Sequence, residues 1–215
     1  NMIPDDKVPY VPGYVGAQIT NAFEMTFDGV DDYVETDHVQ GTNTSFTFSS
    51  WIKIDNTSGR KLIIGDGDSG GATASMRFGL EVNGNKLKMF LGNGSTSNTF
   101  QDTTNLNVNT WHHICVTISG TSIKVYIGGV KKDSFTLSFS FGTAGDRGYT
   151  IGAAGDYRAS VLFEGQIDEV ALFDEALTAD QIKFDLYEPT TTGKTADIEN
   201  NTNLPTPVAW YRMGD

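Results

Sequence analysis

Apolar and polar residues alternate along several short stretches of this chain, as they do in β-strands that bury one face. The clearest stretch runs from Phe46 to Ile54 and reads Phe-Thr-Phe-Ser-Ser-Trp-Ile-Lys-Ile. The stretches Trp111–Ile118 and Ser122–Ile127 repeat the pattern. Gly-rich dipeptides such as Asn83-Gly84 separate these runs at the spacing of antiparallel hairpins. Together these signals predict about a dozen strands.

One segment near the C-terminal side has the signature of a helix instead. Thr178 and Gln181 form a capping box, in which each side chain can bond a backbone N–H of the first turn. Ile182 and Leu186 lie four residues apart, on one face of the expected helix, and Pro189 follows shortly after. The sequence therefore predicts one short helix.

Proline and glycine divide the chain into a central domain and flanking segments. All six prolines lie in the first twelve residues or after residue 188, whereas most glycines lie between these limits. Proline cannot donate to a sheet ladder, and glycine serves tight turns. We expect an extended arm over residues 1–20, a sheet domain over 21–188 and a linker over 189–206. Residues 207–215 are either a terminal strand of this domain or the start of a further module.

Many strands with a single helix predict an all-β fold. The expected architecture is a two-sheet antiparallel jelly-roll sandwich with one short helix near the C-terminal side. The apolar positions of the alternating runs predict the core, which should contain Phe27, Tyr33, Phe48, Trp51, Ile52, Trp111, Val116, Ile118, Val125, Ile127, Ile151, Ile167, Val170 and Leu172.

Composition and charge narrow the range of partners. Hydrophobic residues make up 38% of the chain, enough for a folded core. The 15 basic and 27 acidic residues give a net charge of −12, which argues against a nucleic-acid partner and against anionic membrane surfaces. No apolar run is long enough to insert across a bilayer. The single cysteine, Cys115, rules out an intrachain disulfide and should be a buried, inert thiol.

The runs also resemble, in order, the strands of laminin-G-like, concanavalin A-like jelly-roll domains. The segment Phe27-Asp-Gly-Val-Asp-Asp-Tyr-Val-Glu35 is similar to the opening strand pair of that family. The run from Phe46 is similar to its next core strand, Trp111–Gly129 to its central hairpin and Phe163–Phe173 to its closing strand. The resemblance covers residues 23–187 and implies the same fold. It does not choose among lectins, glucanases, adhesion modules and virion proteins, because one fold hosts many functions.

A resemblance to laminarinase-like glucanases of this fold implies a calcium ion on the outside of the sandwich. There an Asp of the closing strand and a backbone carbonyl of an early strand bind the ion, and Asp168 and the Asp28-Gly29 turn fall at those places. Calcium accepts carboxylate and carbonyl oxygens together. We expect any bound cation to be calcium, held by Asp28, Gly29 and Asp168. The alternative is that Asp28 caps a turn and Asp168 bonds nearby amides.

Two loops correspond to the calcium region of pentraxins, but they keep few of its ligands. Only Asp156 matches in one loop, and the other keeps a displaced Asp-Asn pair that includes Asn56. A two-calcium site is therefore not expected. A single cation, or direct contact with a sugar by Asn56, Asp156 and Tyr157, fits a rim that combines polar groups with an aromatic ring.

Catalytic patterns are missing from the sequence. It contains neither the Glu-x-Asp-x-(x)-Glu run of the glucanases of this fold nor a Gly-x-Ser-x-Gly elbow. His112 and His113 are adjacent on a strand, point to opposite faces and cannot share a metal. We expect no enzymatic activity. The sequence favours a non-catalytic recognition module that binds a glycan or a surface protein, within a larger extracellular, virion or cell-surface protein. The alternatives are a purely structural decoration or spacer domain, and a glycoside hydrolase whose carboxylates converge from separate strands.

Overall fold

The alternating runs form thirteen strands within the part of the chain that the computed structural model describes, residues 21–39, 41–66, 76–141, 148–153, 161–188 and 196–213. One sheet contains β1 (Met25–Asp28), β3 (Ser45–Ile54), β8 (His112–Ser119), β9 (Ser122–Ile127), β10 (Val130–Thr136), β12 (Glu164–Phe173) and β13 (Ala209–Tyr211). The other contains β2 (Val34–Val39), β4 (Arg60–Gly65), β5 (Phe78–Asn83), β6 (Lys86–Gly92), β7 (Ser97–Gln101) and β11 (Gly148–Ile151).

Both sheets are antiparallel and pack face to face. The seven-stranded sheet has the order β1-β12-β3-β8-β9-β10, with β13 also paired to β12. The six-stranded sheet has the order β2-β11-β4-β5-β6-β7. The predicted all-β, two-sheet sandwich is confirmed.

The core lies between the two sheets and contains most of the residues predicted for it. The buried residues of this core include Phe27, Phe48, Ile52, Val116, Ile118, Val125, Ile127, Ile151, Ile167, Val170 and Leu172. Trp51 is buried too, but on the outer face of the seven-stranded sheet, where its ring stacks on Tyr187. Two core predictions are wrong. Tyr33 is 40% exposed and Trp111 is only half-buried, with its ring centroid 5.7 Å from Lys53 Nζ. Each residue lies just before the first residue of its strand, where the alternation of a strand no longer fixes the side-chain direction.

The predicted helix is present, and it is a π-helix over Gln181–Tyr187. The capping box forms: Thr178 N–H donates to Gln181 Oε1 over 2.9 Å, and Gln181 N–H donates to Thr178 Oγ1 over 3.2 Å. At the C-terminal end Glu188 N–H donates to the carbonyl of Lys183, five residues back, which is the bond of a π-turn. No helix within the described ranges is long and apolar enough to cross a membrane.

A second apolar layer covers the outer face of the seven-stranded sheet. It contains side chains of the sheet, the helix and the stretch 196–206, namely Cys115, Tyr126, Ala171, Phe173, Leu177, Ile182, Leu186, Ile198 and Leu204. The stretch 196–206, expected to be part of a linker, therefore packs on this face. The strand β13 that follows it pairs with β12. Cys115 is buried, as expected.

Candidate functional site

Asn56 lies in the turn between β3 and β4, where its side chain organises the turn. Its Oδ1 accepts hydrogen bonds from Ser58 N–H (3.0 Å), Ser58 Oγ (2.6 Å) and Lys61 Nζ (2.8 Å). The amide nitrogen of Asn56 is the part of the side chain that can donate to a ligand. The other two residues of the predicted sugar rim, Asp156 and Tyr157, lie outside the described residues.

Three carboxylates cluster at the Asp28-Gly29 turn. Asp28, Asp31 and Asp32 are exposed, and each offers an oxygen within 4.8 Å of the others, a set that could hold a metal ion. The turn itself depends on these groups. Val30 N–H donates to Asp28 Oδ1 (2.7 Å), and Asp28 N–H donates to Asp32 Oδ2 (3.0 Å). The sequence analysis named Asp28 and Gly29, whereas the contribution of Asp31 and Asp32 depends on the fold of the turn.

Asp168 does not join this turn. Asp28 pairs with Glu164 at the start of β12, and Asp168 lies four residues further along that strand. Four steps of an extended strand span about 13 Å. The carboxylate of Asp168 is buried and accepts hydrogen bonds from Glu169 N–H (2.8 Å) and Asn21 Nδ2 (3.1 Å). The structure therefore separates the two parts of the predicted calcium site.

Asp168 and Glu169 instead share a partner. Asn21 Nδ2 donates to Asp168 Oδ2 and, over 2.6 Å, to Glu169 Oε1. Adjacent residues of a regular strand point to opposite faces. The pairing of β12 with β3 shifts register between Asp168 and Ala171, and Glu169 has a φ of +50°. This bulge turns both carboxylates toward Asn21.

Glu169 is buried and strongly bonded. Trp210 Nε1 donates to its Oε2 over 2.6 Å, and Arg212 Nε lies 3.7 Å from its Oε1. Burial raises the pKa of Glu169 to about 7, and the charge of Asp168 adds to the rise. The hydrogen bonds from Trp210 and Asn21 oppose it. The sequence analysis gave Glu169 no role, because its partners come from distant parts of the chain.

A small pocket beside Glu169 has room for about one water molecule. Ser49 and His113 also line it, and their Oγ and Nε2 atoms lie 2.9 Å apart. Burial lowers the pKa of His113 to about 3, so this imidazole is neutral at physiological pH. A serine, a histidine and a carboxylate thus meet here, but a sugar or peptide is too large to enter. This pocket does not support hydrolysis.

The outer face of the six-stranded sheet carries a different set of side chains. Leu80, Val82, Leu87 and Met89 point into the core, so the alternating residues of β5 and β6 point outward. Two cross-strand rows of outward side chains follow from the register: Arg60, Asn83 and Lys86, then Leu62, Glu81, Lys88 and Gln101. A third row contains Gly79, Phe90 and Thr99. We call Arg60, Glu81, Lys86, Lys88 and Phe90 the basic face.

A buried carboxylate organises the basic face. Glu81 is 0% exposed, and both of its oxygens accept from Arg60 Nε, over 3.1 and 2.9 Å, while Arg60 Nη2 lies 2.7 Å from Oε2. Lys88 Nζ lies 3.8 Å from Glu81 Oε1. Both cations also lie over the ring of Phe90, at 5.4 Å for the Arg60 guanidinium carbon and 4.9 Å for Lys88 Nζ. The result is an oriented pair of cations above an aromatic ring.

The sequence analysis did not identify this face, although a signal was present. Lys86, Lys88 and Phe90 alternate with Leu87 and Met89. That pattern places two cations and a ring opposite the core on one strand. The alternation could not predict the contact with Glu81, because that contact depends on which residue of β5 pairs with Lys88.

The comparison with protein families agrees with the fold. A family model described as the concanavalin A-like lectin/glucanases superfamily matches residues 28–183, which span both sheets. The chain belongs to this superfamily. The resemblance to laminin-G-like, concanavalin A-like domains is thereby confirmed. No curated protein matches the chain.

Solved structures of this superfamily's fold include proteins of several kinds. A heptameric pentraxin of Limulus polyphemus is 17% identical, with a TM-score of 0.61 over 79% of this chain and 82% of its own. The sialidase CBM40 of Ruminococcus gnavus, bound to α2,3-sialyllactose, is 12% identical, with a TM-score of 0.58 over 76% of this chain and 97% of its own. A tailspike protein of the Escherichia coli O157:H7 bacteriophage CAB120 is 12% identical, with a TM-score of 0.65.

These likenesses show the fold. The match to the tailspike protein includes 90% of this chain but only 27% of the tailspike chain. A carbohydrate-binding candidate from Bacteroides ovatus is 19% identical, with a TM-score of 0.62. This chain spans about half of its length, 53%. A domain of this fold is thus found within longer proteins.

Proposed function

We propose that this chain is a non-catalytic recognition module that binds glycans through the outer face of the six-stranded sheet. The observation that supports it is the arrangement on that face. Three adjacent rows of outward side chains, of which the last contains Phe90, carry groups that can donate or accept hydrogen bonds, namely Arg60, Asn83, Lys86, Lys88, Thr99 and Gln101. Sites for small polar ligands depend on a small number of placed polar groups, which fix the orientation of the ligand.

The fold relatives support a sugar as the ligand. The Ruminococcus gnavus module is described with a bound sialylated sugar, and the superfamily description names lectins. Each likeness lies below 20% identity, so the contacts of those proteins do not transfer residue by residue. The ligand argument therefore rests on the side chains of the outer face.

The burial of Asp168 and Glu169 argues against catalysis by this pair of carboxylates. The described pair Asp168 and Glu169 lies close together, but the two side chains are 0% and 6% exposed and bonded to Asn21 and Trp210. A glycoside hydrolase needs two carboxylates that flank the sugar bond in an open groove. This pair is covered by the chain itself.

A titration with variants tests the glycan proposal. Oligosaccharides from a glycan array are titrated into the wild-type chain and into variants Asn83→Ala and Gln101→Ala, which remove hydrogen-bonding groups from the outer face. The matched control is Asn43→Ala, an exposed amide in the segment that leads into β3 of the other sheet. We expect binding that both face variants weaken and the control does not.

The same titration separates the alternatives. Binding that Asn56→Ala abolishes, while Asn83→Ala and Gln101→Ala leave it intact, would assign the ligand to the rim with Asp156 and Tyr157 instead. No binding across a broad array would favour a decoration or spacer domain. Turnover of an oligosaccharide would overturn the proposal in favour of a hydrolase.

Two further expectations belong to this proposal. The chain is proposed to act outside the cell, on a virion or a cell surface, and the tailspike among the fold relatives is the support for it. A bound cation is proposed to be calcium, because the turn at Asp28 offers carboxylate oxygens and calcium also accepts backbone carbonyl oxygens, such as that of Gly29. Asp31 and Asp32 replace Asp168 in this proposed site.

A further inference from the structure

We propose that the basic face selects glycans that carry an anionic group, a carboxylate or a sulfate. This inference rests on the proposed glycan-binding function and names the chemical class of its ligand. The net charge of −12 means that the chain as a whole should repel anions. Selection of an anion must therefore come from the local charge of the basic face.

The local charge of the basic face has the opposite sign to the whole chain. Its two outward rows carry three cations, Arg60, Lys86 and Lys88, and one carboxylate, Glu81. Salt screens exposed charges beyond about 8–10 Å at physiological ionic strength. An anion at this face therefore interacts mainly with these cations and only weakly with the acidic residues elsewhere.

Glu81 positions a cation without being available to the ligand. It is fully buried and takes Nε and Nη2 of Arg60, so the guanidinium is held in one orientation while Arg60 Nη1 is left for another acceptor. The side chain of Arg60 is 47% exposed and that of Lys88 is 23% exposed. Two cations that are fixed before binding lose little side-chain entropy when a ligand arrives.

The Phe90 ring lies between the two cations and the sheet. The ring is 8% exposed and both cations lie over it. A buried ring on this side removes water from beneath the charged groups, which strengthens their interaction with an anion. Asn83 and Gln101 lie in the same two rows and can bond the hydroxyl groups of a sugar. The face thus offers charge for an anionic group and hydrogen bonds for the ring that bears it.

Matched pairs of sugars test the selection directly. The probes are 3′-sialyllactose against lactose, for a carboxylate, and a sulfated chondroitin disaccharide against its unsulfated form, for a sulfate. We expect the anionic member of at least one pair to bind about tenfold or more tightly than its neutral partner, which corresponds to about 1.4 kcal/mol. The preference should shrink as sodium chloride rises from about 50 to about 500 mM, because salt screens charge.

Variants assign the preference to the basic face. Lys86→Gln and Lys88→Gln should each reduce the ratio of anionic to neutral affinity, because glutamine keeps hydrogen-bonding groups for a sugar but carries no charge. Lys131→Gln, an exposed lysine on β10 of the other sheet, makes the same change in net charge and should not alter the preference. Melting curves of the variants confirm that they are folded.

The outcomes separate this inference from the proposal on which it rests. Equal binding of neutral and anionic sugars would overturn the selection and leave glycan binding intact. An equal effect of Lys131→Gln would also overturn it, because net charge would then be the cause. Absence of binding to every probe would count against the glycan function itself. Competition by inorganic sulfate at the face would support a requirement for the anionic group.

Discussion

Trp210 donates its indole N–H to a carboxylate oxygen of Glu169 over 2.6 Å, and this bond joins the last described strand to the bulge of β12. Strand β1 pairs with β12 as far as Ile167, and β13 pairs with it from Val170 onward. Glu169 therefore lies in the gap between two strands that share one edge of β12. Asn21, which precedes β1, bonds the same carboxylate. One acidic side chain ties both ends of the described chain to the sandwich.

Trp210→Phe should destabilise the fold. The variant keeps an aromatic ring on the second apolar layer but removes the donor to Glu169, and a buried charged group without its hydrogen bond costs about 1–3 kcal/mol. The free energy of unfolding, measured by urea denaturation at about pH 9, where Glu169 with its pKa of about 7 is ionised, checks this. In a Glu169→Gln background, Trp210→Phe should lower the free energy of unfolding by less, because the side chain that loses its hydrogen bond is then neutral. An equal loss in both backgrounds would show that packing, and not the bond, is responsible.

Stability should fall as pH rises through neutrality because of Glu169. Burial raises the pKa of this carboxyl to about 7 in the folded chain, above its ordinary value of 4.5. The folded state therefore binds the proton more tightly than the unfolded state. The stabilisation is fully present below pH 4.5 and is lost as pH rises through about 7. Glu169→Gln should flatten the unfolding free energy between these limits, and an unchanged slope in that variant would contradict the assignment.

His113 should have the opposite effect at acid pH. Burial lowers its pKa to about 3, below its ordinary value of 6.5, so the unfolded chain takes up the proton first. Stability should therefore fall as pH decreases from 6.5 toward 3, at up to about 1.4 kcal/mol per pH unit for this one group. His113→Gln should reduce that slope. His112→Gln, at the half-buried neighbouring position, is the matched control, and an equal reduction in both variants would contradict the assignment to His113.

The sequence predicted the fold well because its signals are local and strongly repeated. Alternation over Phe46–Ile54 and Ser122–Ile127 placed β3 and β9 almost to the residue. The capping box at Thr178 and Gln181 located the helix, although it does not distinguish a π-helix from an α-helix. Tyr33 was misplaced because alternation stops at a strand end.

The candidate sites were harder to predict because their groups meet only through pairing. The bulge that brings Asp168 and Glu169 to Asn21 lies where β1 and β13 share an edge, and no short-range pattern marks such a place. Arg60 and Glu81 are similarly 21 residues apart in sequence and meet through the register of β4 and β5. Patterns of single strands can show which faces are polar, but not which charges become partners.

Trp51→Ala should destabilise the contact between the helix and the outer face of the seven-stranded sheet. Trp51 is 7% exposed, and its ring stacks on Tyr187 of the helix at 5.8 Å and lies 5.3 Å from His113. Removing a buried indole leaves a cavity that costs about 3–5 kcal/mol. Urea denaturation should show that loss, and Trp51→Phe should show a smaller one. A melting temperature that Trp51→Ala leaves unchanged would show that the helix does not depend on this contact.

Calcium should raise the melting temperature of chelated protein if the Asp28 turn binds it. A ligand that binds only the folded state stabilises it, by about 2.7 kcal/mol at a concentration one hundred times its dissociation constant. Asp31→Asn should abolish the response, because it removes a carboxylate from the cluster of Asp28, Asp31 and Asp32. Asp168→Asn should lower stability but keep the response, since Asp168 lies four residues along β12 from the partner of Asp28. The reverse pattern, with the response lost in Asp168→Asn and kept in Asp31→Asn, would place the ion at the bulge. A melting curve indifferent to both calcium and chelator would leave the three carboxylates with their structural role alone, as acceptors for the backbone of the turn.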